Sequence, residues 1–593
     1  METIDLRVLR NGDDTFLIWQ IKEAIPRCRG FELIRKLNGK EEVMPSHAGF
    51  EHTNWERGTQ QPSTVWPVQK FMWTDYTVRS GDTVSYRVVA MTGPDKDHLK
   101  PDPQNASTWS DTISMDPSIT RHVSCYFNRG VVASQWVQKM LGARNIGAKE
   151  KSKGDDVSTS AKARARLLDK VIIDLKEPKQ RNALAGELRV GLLDLLKEAK
   201  SKKYEVYAAL FELTDEELMN ALADLGSRAF VVLADGAPPE KKKATDNDVR
   251  TTKSQSSDEN SDARKLLKGS KVQVFDRMTK GKFLAHNKML VVCDGNGKPR
   301  WTWTGSTNWT PTGLCTQANN GILIDDADLA LDYKNQIIEL SKNDGTSPAA
   351  LAEANSTARP ATIDGSPVRV WFTRTTAQQD MEDAKSVIAG AKHGALFLMF
   401  QTGAKGSLLE AIMNRQKEPE FFIHGVISNP PSTGGGKKGA GGPKPTPAEA
   451  VERRVAFVHK GERQKYAPDL LLPFANAGSD HWFAEFVKKN GAHAIVHSKI
   501  IVLDPFGPNP VVMTGSHNMG KTASSKNDEN LVIIQGCKEL AQAYAVNIMS
   551  IYDNYRWRYR LAAKSKWDGL HDNDTWQKYY LDDIAGEMSF WMR

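Results

Sequence analysis

Cysteine is scarce in this chain, and long apolar runs are missing. Five Cys stand among 593 residues, at positions 28, 125, 293, 315 and 537. Odd in number and scattered, with no CxxC pair, they argue against a disulfide framework or a zinc site and for reduced thiols in a cytosolic protein. No stretch approaches the roughly 18 apolar residues that a membrane-spanning helix needs. The opening METIDLRVLRNGDD has no apolar h-region. The expectation is therefore a soluble chain, cytoplasmic by default, with export by a route that reads no such signal left open. Charge is not one-sided either: 80 Lys and Arg against 72 Asp and Glu give a formal net charge of +8. Spread over this length, that favours anionic partners without choosing among a phospholipid surface, nucleic acid and a small phosphodiester.

What is present reads as globular, at 40% hydrophobic and 26% charged residues, with room for three domains. Residues 1–115 read as an all-β unit. The runs FLIW (16–19), FELIRKL (31–37), KFMWTDYTV (70–78) and TVSYRVVAM (83–91) are rich in β-branched and aromatic residues and are separated by turn formers. SYRVVA (85–90), with Trp19 and Trp73, resembles a fibronectin type III sandwich, which implies a spacer or binding surface. Two α/β halves follow, at 120–345 and 366–560. In the first, LRVGLLDLLKEAKSKK (helix), YEVYAALFEL (strand), DEELMNALADLG (helix) and RAFVVLADG (strand) alternate. DMEDAKSVIAGAKHG, ALFLMFQT, GSLLEAIMNRQ and EFFIHGVIS repeat that order in the second. Such alternation predicts mostly parallel sheets flanked by helices, with sites at the carboxyl ends of strands.

One ordered set of polar residues occurs twice. His497, Lys499, Asp504, Gly515, Ser516 and Asn518 lie at offsets 0, 2, 7, 18, 19 and 21; His286, Lys288, Asp294, Gly305, Ser306 and Asn308 lie at 0, 2, 8, 19, 20 and 22. An isolated His-x-Lys is common, and His98 and Lys100 form another with no Gly-Ser-x-Asn after it. Recurrence of the whole set on matched apolar runs is what points to one active site built from two half-sites. Residues two apart in a strand share a face, so each His and its Lys point the same way. Two imidazoles and two ammonium groups brought together suit a phosphodiester. One neutral His attacks phosphorus while the other gives a proton to the departing alcohol and then takes one from water. Lysines, Asn308 and Asn518 amides, and Ser306 and Ser516 donors can offset charge on the non-bridging oxygens, so neither a metal nor another cofactor is implied.

This doubled pattern resembles the phospholipase D superfamily, whose signature is His-x-Lys-x4-Asp followed by Gly-Ser-x-Asn. The resemblance implies a covalent phosphohistidine on the N-terminal His, hence His286 as nucleophile and His497 as general acid and base; the residues alone do not order them. The second copy fits the signature throughout. The first carries Cys293 where the Asp is due and Asp294 one place later. Because the step from Asp to Gly is 11 in both copies, the expectation is a β-bulge between Lys288 and Asp294 that leaves Asp294 equivalent to Asp504. Both Asp residues are expected to tie their strand to its neighbour rather than to react. Eleven residues past Asn518 stands Glu529, and eleven past Asn308 stands Asn319. Glu529 is thus a candidate to orient one catalytic His. Contact with His497 would keep the acid protonated to higher pH, and contact with His286 across the halves is left open.

Polar stretches at 236–268 and 430–450, the first Ser-rich and charged and the second rich in Gly, Pro and Lys, read as mobile inserts beside the site. The tail at 561–593 is dense in aromatic residues and is expected to help pack the last helix on the second half rather than to bind bases or lipid. Three functions remain: a phospholipase D-type hydrolase acting on a phospholipid, a nuclease with the same chemistry, and a binding protein of this fold that lost activity, which Cys293 and Asn319 would suit. Two half-sites in one chain imply a monomer, with peripheral membrane contact allowed.

Overall fold

The computed structural model of the protein describes residues 3–55, 59–129, 170–176, 178–236, 258–279, 283–345, 347–400, 405–428, 455–459, 471–473, 496–562 and 569–593. Its first part is an all-β region of antiparallel sheets. Strands β1 (Ile4–Arg10), β2 (Thr15–Ile21) and β7 (Met72–Asp75) form one. The other orders β10 (Ile113–Ser114), β8 (Thr83–Thr92), β3 (Cys28–Leu37) and β4 (Lys40–Val43), with β9 (Lys100–Ala106) also on β8. A small ribbon joins β5 (Pro45–Ser46) to β6 (Gln61–Pro62). Alternating apolar residues turn inward from both sheets, and Trp19, Phe31 and Phe71 meet there at ring separations of 5.4–6.5 Å. Trp73 stays half-buried.

In the first half, a seven-stranded sheet runs β11 (Val123–Phe127), β17 (Asn320–Asp325), β16 (Pro299–Gly305), β15 (Lys288–Cys293), β12 (Glu205–Leu210), β13 (Ala229–Ala234), β14 (Gln273–Arg277). The second half carries a nine-stranded sheet. Its order is β18 (Arg359–Ile363), β19 (Ser366–Phe372), β26 (Asn530–Gln535), β25 (Val511–Gly515), β24 (Lys499–Leu503), β20 (Gly394–Met399), β21 (Phe422–Ser428), β22 (Val455–His459), β23 (Leu471–Pro473). Helices flank both sheets. Those at Glu216–Ala223 and Ala327–Ser341 begin where Asp215 and Asp326 accept the backbone N–H three residues on, satisfying a donor the helix leaves open.

The expected duplication of α/β halves is present, but the sheets are mixed, not mostly parallel. Between the named strands of the described residues, parallel pairing is confined to β12–β13, β13–β14 and β20–β21. The reason is connection length. Crossovers through helices give parallel neighbours, whereas the short Asp294–Lys298 and Asp504–Pro510 links fold each His-x-Lys strand into an antiparallel hairpin with the next. Of the insert expected at 236–268, Ser261–Gly269 is a helix that buries Ala263 and Leu267, while 237–257 and all of 430–450 lie outside the described residues. The aromatic tail packs on the N-terminal sheets as well as on the second half. Trp576 contacts Phe31 and Phe71, and Phe590 stacks on Phe422 at 4.2 Å.

Register corrects the expected bulge. On β12 the pairing of β15 is unbroken from Lys288 opposite Leu210 to Cys293 opposite Glu205. On β20, Lys499 stands opposite Met399 and Leu503 opposite Ala395, with the Asp504 N–H on the Gly394 carbonyl. Cys293, not Asp294, is therefore the counterpart of Asp504. The extra residue lies on the partner strand: Val292 faces Trp301 but Cys293 faces Pro299, which leaves Arg300 bulged. Residue counts alone cannot distinguish the two placements, because both give the same total spacing. Asp504 accepts the N–H groups of Lys392, His393 and Gly394 at 2.6–2.9 Å, so it ties β24 to β20. Asp294 instead closes its own hairpin, accepting from Asn296 and Lys298.

Candidate active site

The two half-sites meet along an approximate twofold. Thr304 Oγ1 donates to Asn530 Oδ1 at 2.7 Å, and Asn320 Nδ2 donates to Thr514 Oγ1 at 2.8 Å, a reciprocal pair across the halves. Further out, Ala318 bridges Val496 and Leu284 bridges Asn527. Each strand that ends in Gly-Ser turns sharply where no side chain fits. Gly305 and Gly515 have φ of +152° and +129°, and a Cβ on either would lie 2.3 Å from the carbonyl oxygen of Asn320 or Asn530. Glycine lets the following Ser N–H reach that same carbonyl.

His286 and His497 stand two residues ahead of the first residue of their strands and are buried with Lys288 and Lys499. Each ammonium donates to the carbonyl of its own histidine, Lys288 to His286 at 2.8 Å and Lys499 to His497 at 2.5 Å. An aromatic ring backs each pair. Phe211 lies 4.9 Å from the His286 ring and Phe400 4.8 Å from that of His497, and each also faces the matching lysine. Ser306 and Ser516 are buried, and their hydroxyls each accept the N–H of Asn320 or Asn530. Asn308 is buried and Asn518 half-buried.

The downstream positions cross over. Glu529 Oε1 lies 2.9 Å from His286 Nδ1, an ion-pair contact without an aligned hydrogen bond, while Asn319 Oδ1 lies 2.9 Å from His497 Nδ1. Contact of Glu529 with His497 is thereby overturned. The cause is the pairing of Leu284 with Asn527, which seats the Glu529 segment beside the strand of the other half. Asn319 Nδ2 donates to the Gly313 carbonyl, so its Oδ1 is the acceptor toward His497 and toward Ser306 Oγ. His497 must then donate from Nδ1, which leaves Nε2 for chemistry. Glu529 also accepts the Asn518 N–H and the Asn527 amide. Its neighbour Asp528 is pinned by Arg277 and Arg374.

Crowding of two imidazoles and two ammonium groups decides their protonation. Burial, then Lys288, push the His286 imidazole down to about 4, against the pull of Glu529. Burial pushes Lys288 down to about 7. Burial with neighbouring Lys288 also holds Lys499 well below its ordinary value, and burial with both lysines does the same to His497. Burial works to raise the Glu529 carboxyl, but His286, His517 and Asn527 hold it down at about 2. One cation partner is thus always ionised, and a bound anion would recharge the rest.

Sequence reasoning missed Glu212, read there as the end of a buried strand. It follows β12, remains half-buried, and accepts the Asn308 amide at 2.5 Å on Oε2. Burial raises its carboxyl, Lys288 and Lys499 oppose that, and Glu259 adds to it, for a net upward shift. The available signal was its place at a strand's carboxyl end, where α/β sites gather. Phe211 and Phe400, at matching places in the repeated strands, were also missed. Among the described residues, no group of three or more His, Cys, Asp or Glu side chains is placed to hold a metal ion.

The site thus joins a two-half α/β fold to paired His-x-Lys segments. The family model described as "Cardiolipin synthase, PLD-like domain" matches residues 192–340 and 463–552. Among solved structures it is similar to polyphosphate kinase from Porphyromonas gingivalis, at 10% identity and a TM-score of 0.33, over 58% of this chain and 45% of the kinase. The chain thus spans less than half of that kinase. It is also similar to phosphatidylserine synthase from Haemophilus influenzae (10% identity, TM-score 0.40, 64% of this chain and 87% of that one). A third is Nuc, a phospholipase D family member from Salmonella typhimurium (18% identity, TM-score 0.19, 27% and 88%). No curated protein matches the chain.

Proposed function

We propose that this protein is a phospholipase D-type phosphodiesterase that hydrolyses a phospholipid head group through a phosphohistidine intermediate, without a metal. The observation that carries the reading is the convergence of two buried His-Lys pairs, each His partnered by a residue of the other half. His286 Nε2 attacks phosphorus and forms the P–N bond as the P–O bond to the alcohol breaks. Protonated His497 gives its Nε2 proton to that oxygen. Water then attacks phosphorus, His497 takes its proton, and the P–N bond breaks to release His286. Lys288, Lys499, Asn308 and Asn518 hold the non-bridging oxygens, with Ser306 and Ser516 shaping the turns beneath them.

The reading includes a monomeric, cytoplasmic enzyme that touches membranes peripherally, with a fibronectin type III-like N-terminal unit. Head-group release from vesicles, run beside degradation of DNA and RNA, tests it, with His286→Ala and His497→Ala as controls. Release that both variants abolish supports it. Nucleic acid cleavage without lipid turnover would make the enzyme a nuclease, which the net charge of +8 also suits. Inactivity toward every substrate would leave a binding protein.

A further inference from the structure

Glu212 is the one feature of the site that phosphate binding does not call for. A carboxylate beside two lysines and an Asn that grip a phosphodiester opposes the incoming charge, so it needs a compensating contact. Its Oε2 is taken by Asn308, its only side-chain hydrogen bond among the described residues. The ammonium groups of Lys288 and Lys499 are tethered to the carbonyls of His286 and His497 rather than to it. The side chain is half-buried, at the end of β12, so the second oxygen is left to whatever enters.

We infer that Glu212 is a specificity-determining residue that accepts a hydrogen bond from an ammonium or hydroxyl group of the substrate's head group. This rests on the phosphodiesterase reading and narrows its substrate to lipids whose head group carries such a donor. Aminoethyl and glycerol head groups carry such a donor, and Asn308 links Glu212 to the phosphate-binding residues. A trimethylated amine carries the same charge but has no N–H to give.

Phosphoethanolamine and phosphocholine differ in that respect, and calorimetry measures their binding without requiring turnover. The wild-type protein is expected to bind phosphoethanolamine roughly tenfold tighter or more, as one hydrogen bond to a charged acceptor provides. In Glu212→Gln the ratio should drop, and in Glu212→Ala, which removes the acceptor, it should approach one. Equal wild-type affinities, or a ratio that survives in Glu212→Ala, would overturn the assignment. A uniform loss for both ligands with the ratio intact would also overturn it, because that is the signature of Glu212 merely balancing the lysines. Phosphatidylethanolamine and phosphatidylcholine vesicles test the parent reading separately. Binding preference without turnover of either lipid would sink the hydrolase and leave the assignment of Glu212 standing.

Discussion

Replacing Glu529 by Gln isolates one charge at the nucleophile. The carboxylate sits 2.9 Å from His286 Nδ1 and is held at about 2, so it is ionised throughout the working pH range. Once His286 Nε2 bonds to phosphorus while Nδ1 keeps its proton, the ring is a cation, and Glu529 is the anion that faces it. Two unit charges 4 Å apart at an effective dielectric of 20 interact by about 4 kcal/mol. A carboxylate neighbour usually moves a pKa by about 1–3 units, equivalent to about 1.4–4 kcal/mol. Glu529→Gln should therefore lower kcat about 10- to 1000-fold. Bis(4-nitrophenyl) phosphate is the informative substrate, since its leaving group needs little help from His497, and stopped-flow release of nitrophenol reads the attack by His286 directly. A purely structural Glu529 would act through the N–H of Asn518, which grips phosphate, and would raise KM instead. A variant with kcat within about threefold of wild type would refute the charge argument.

Other outcomes follow from the same geometry. His497→Ala should retain a single burst with the nitrophenyl ester and then stall, because no base activates water, and intact-protein mass spectrometry should find the added phosphoryl ester; continued turnover would remove His497 from the second step. Asn319→Asp places a carboxylate 2.9 Å from His497 Nδ1 and should move the alkaline limb of the kcat profile upward by about 1–3 pH units. His286 titrates near 4 and Lys288 near 7, both below their ordinary values, so each binds fewer protons in the folded state than in the unfolded one between those values and the ordinary ones. Their contributions to stability should accordingly rise with pH, from about 4 to 6.5 for His286 and from about 7 to 10.5 for Lys288, and are read as the difference from the His286→Ala and Lys288→Met variants. Saturating inorganic phosphate should flatten the upper rise in a calorimetric Tm series, and an unchanged slope would count against Lys288 as an anion ligand. Gly305→Ala puts a Cβ 2.3 Å from the Asn320 carbonyl and should cost about 2–4 kcal/mol in denaturant unfolding.

Much of the architecture was legible because it rests on local periodicity. The helix and strand repeats after residues 188 and 380 were readable from apolar spacing, and the doubled polar set stood on matching runs. What escaped was whatever depends on pairing between distant segments. Glu529 belongs to the second half in sequence but to His286 in space, since its partner is chosen by how Leu284 and Asn527 meet. Glu212 looked like one more residue of YEVYAALFEL, and only the approach of Asn308 marks it out. The extra residue was assigned to the wrong strand of the hairpin because a count from His to Gly is blind to whether it lies at Met289–Cys293 or at Arg300. Strand direction was misjudged for a related reason: alternating elements report crossovers and are silent on the hairpins between them.

Residues 576–591 complete the interior of the N-terminal all-β region. Trp576 lodges between Phe31 and Phe71 and donates to the Cys28 carbonyl; Gln577 bonds both ways with Ile25; Trp591 meets Phe16. A ribosome adding about 5–20 residues per second delivers those side chains on the order of half a minute to two minutes after the N-terminal strands have emerged. For that interval Phe31 and Phe71 present an unfinished apolar face, and the earliest β-sheets wait for residues 576–591 before they close. Such long-range contacts slow the final step of closure, and a polypeptide cut before Trp576 would leave Phe31 and Phe71 uncovered.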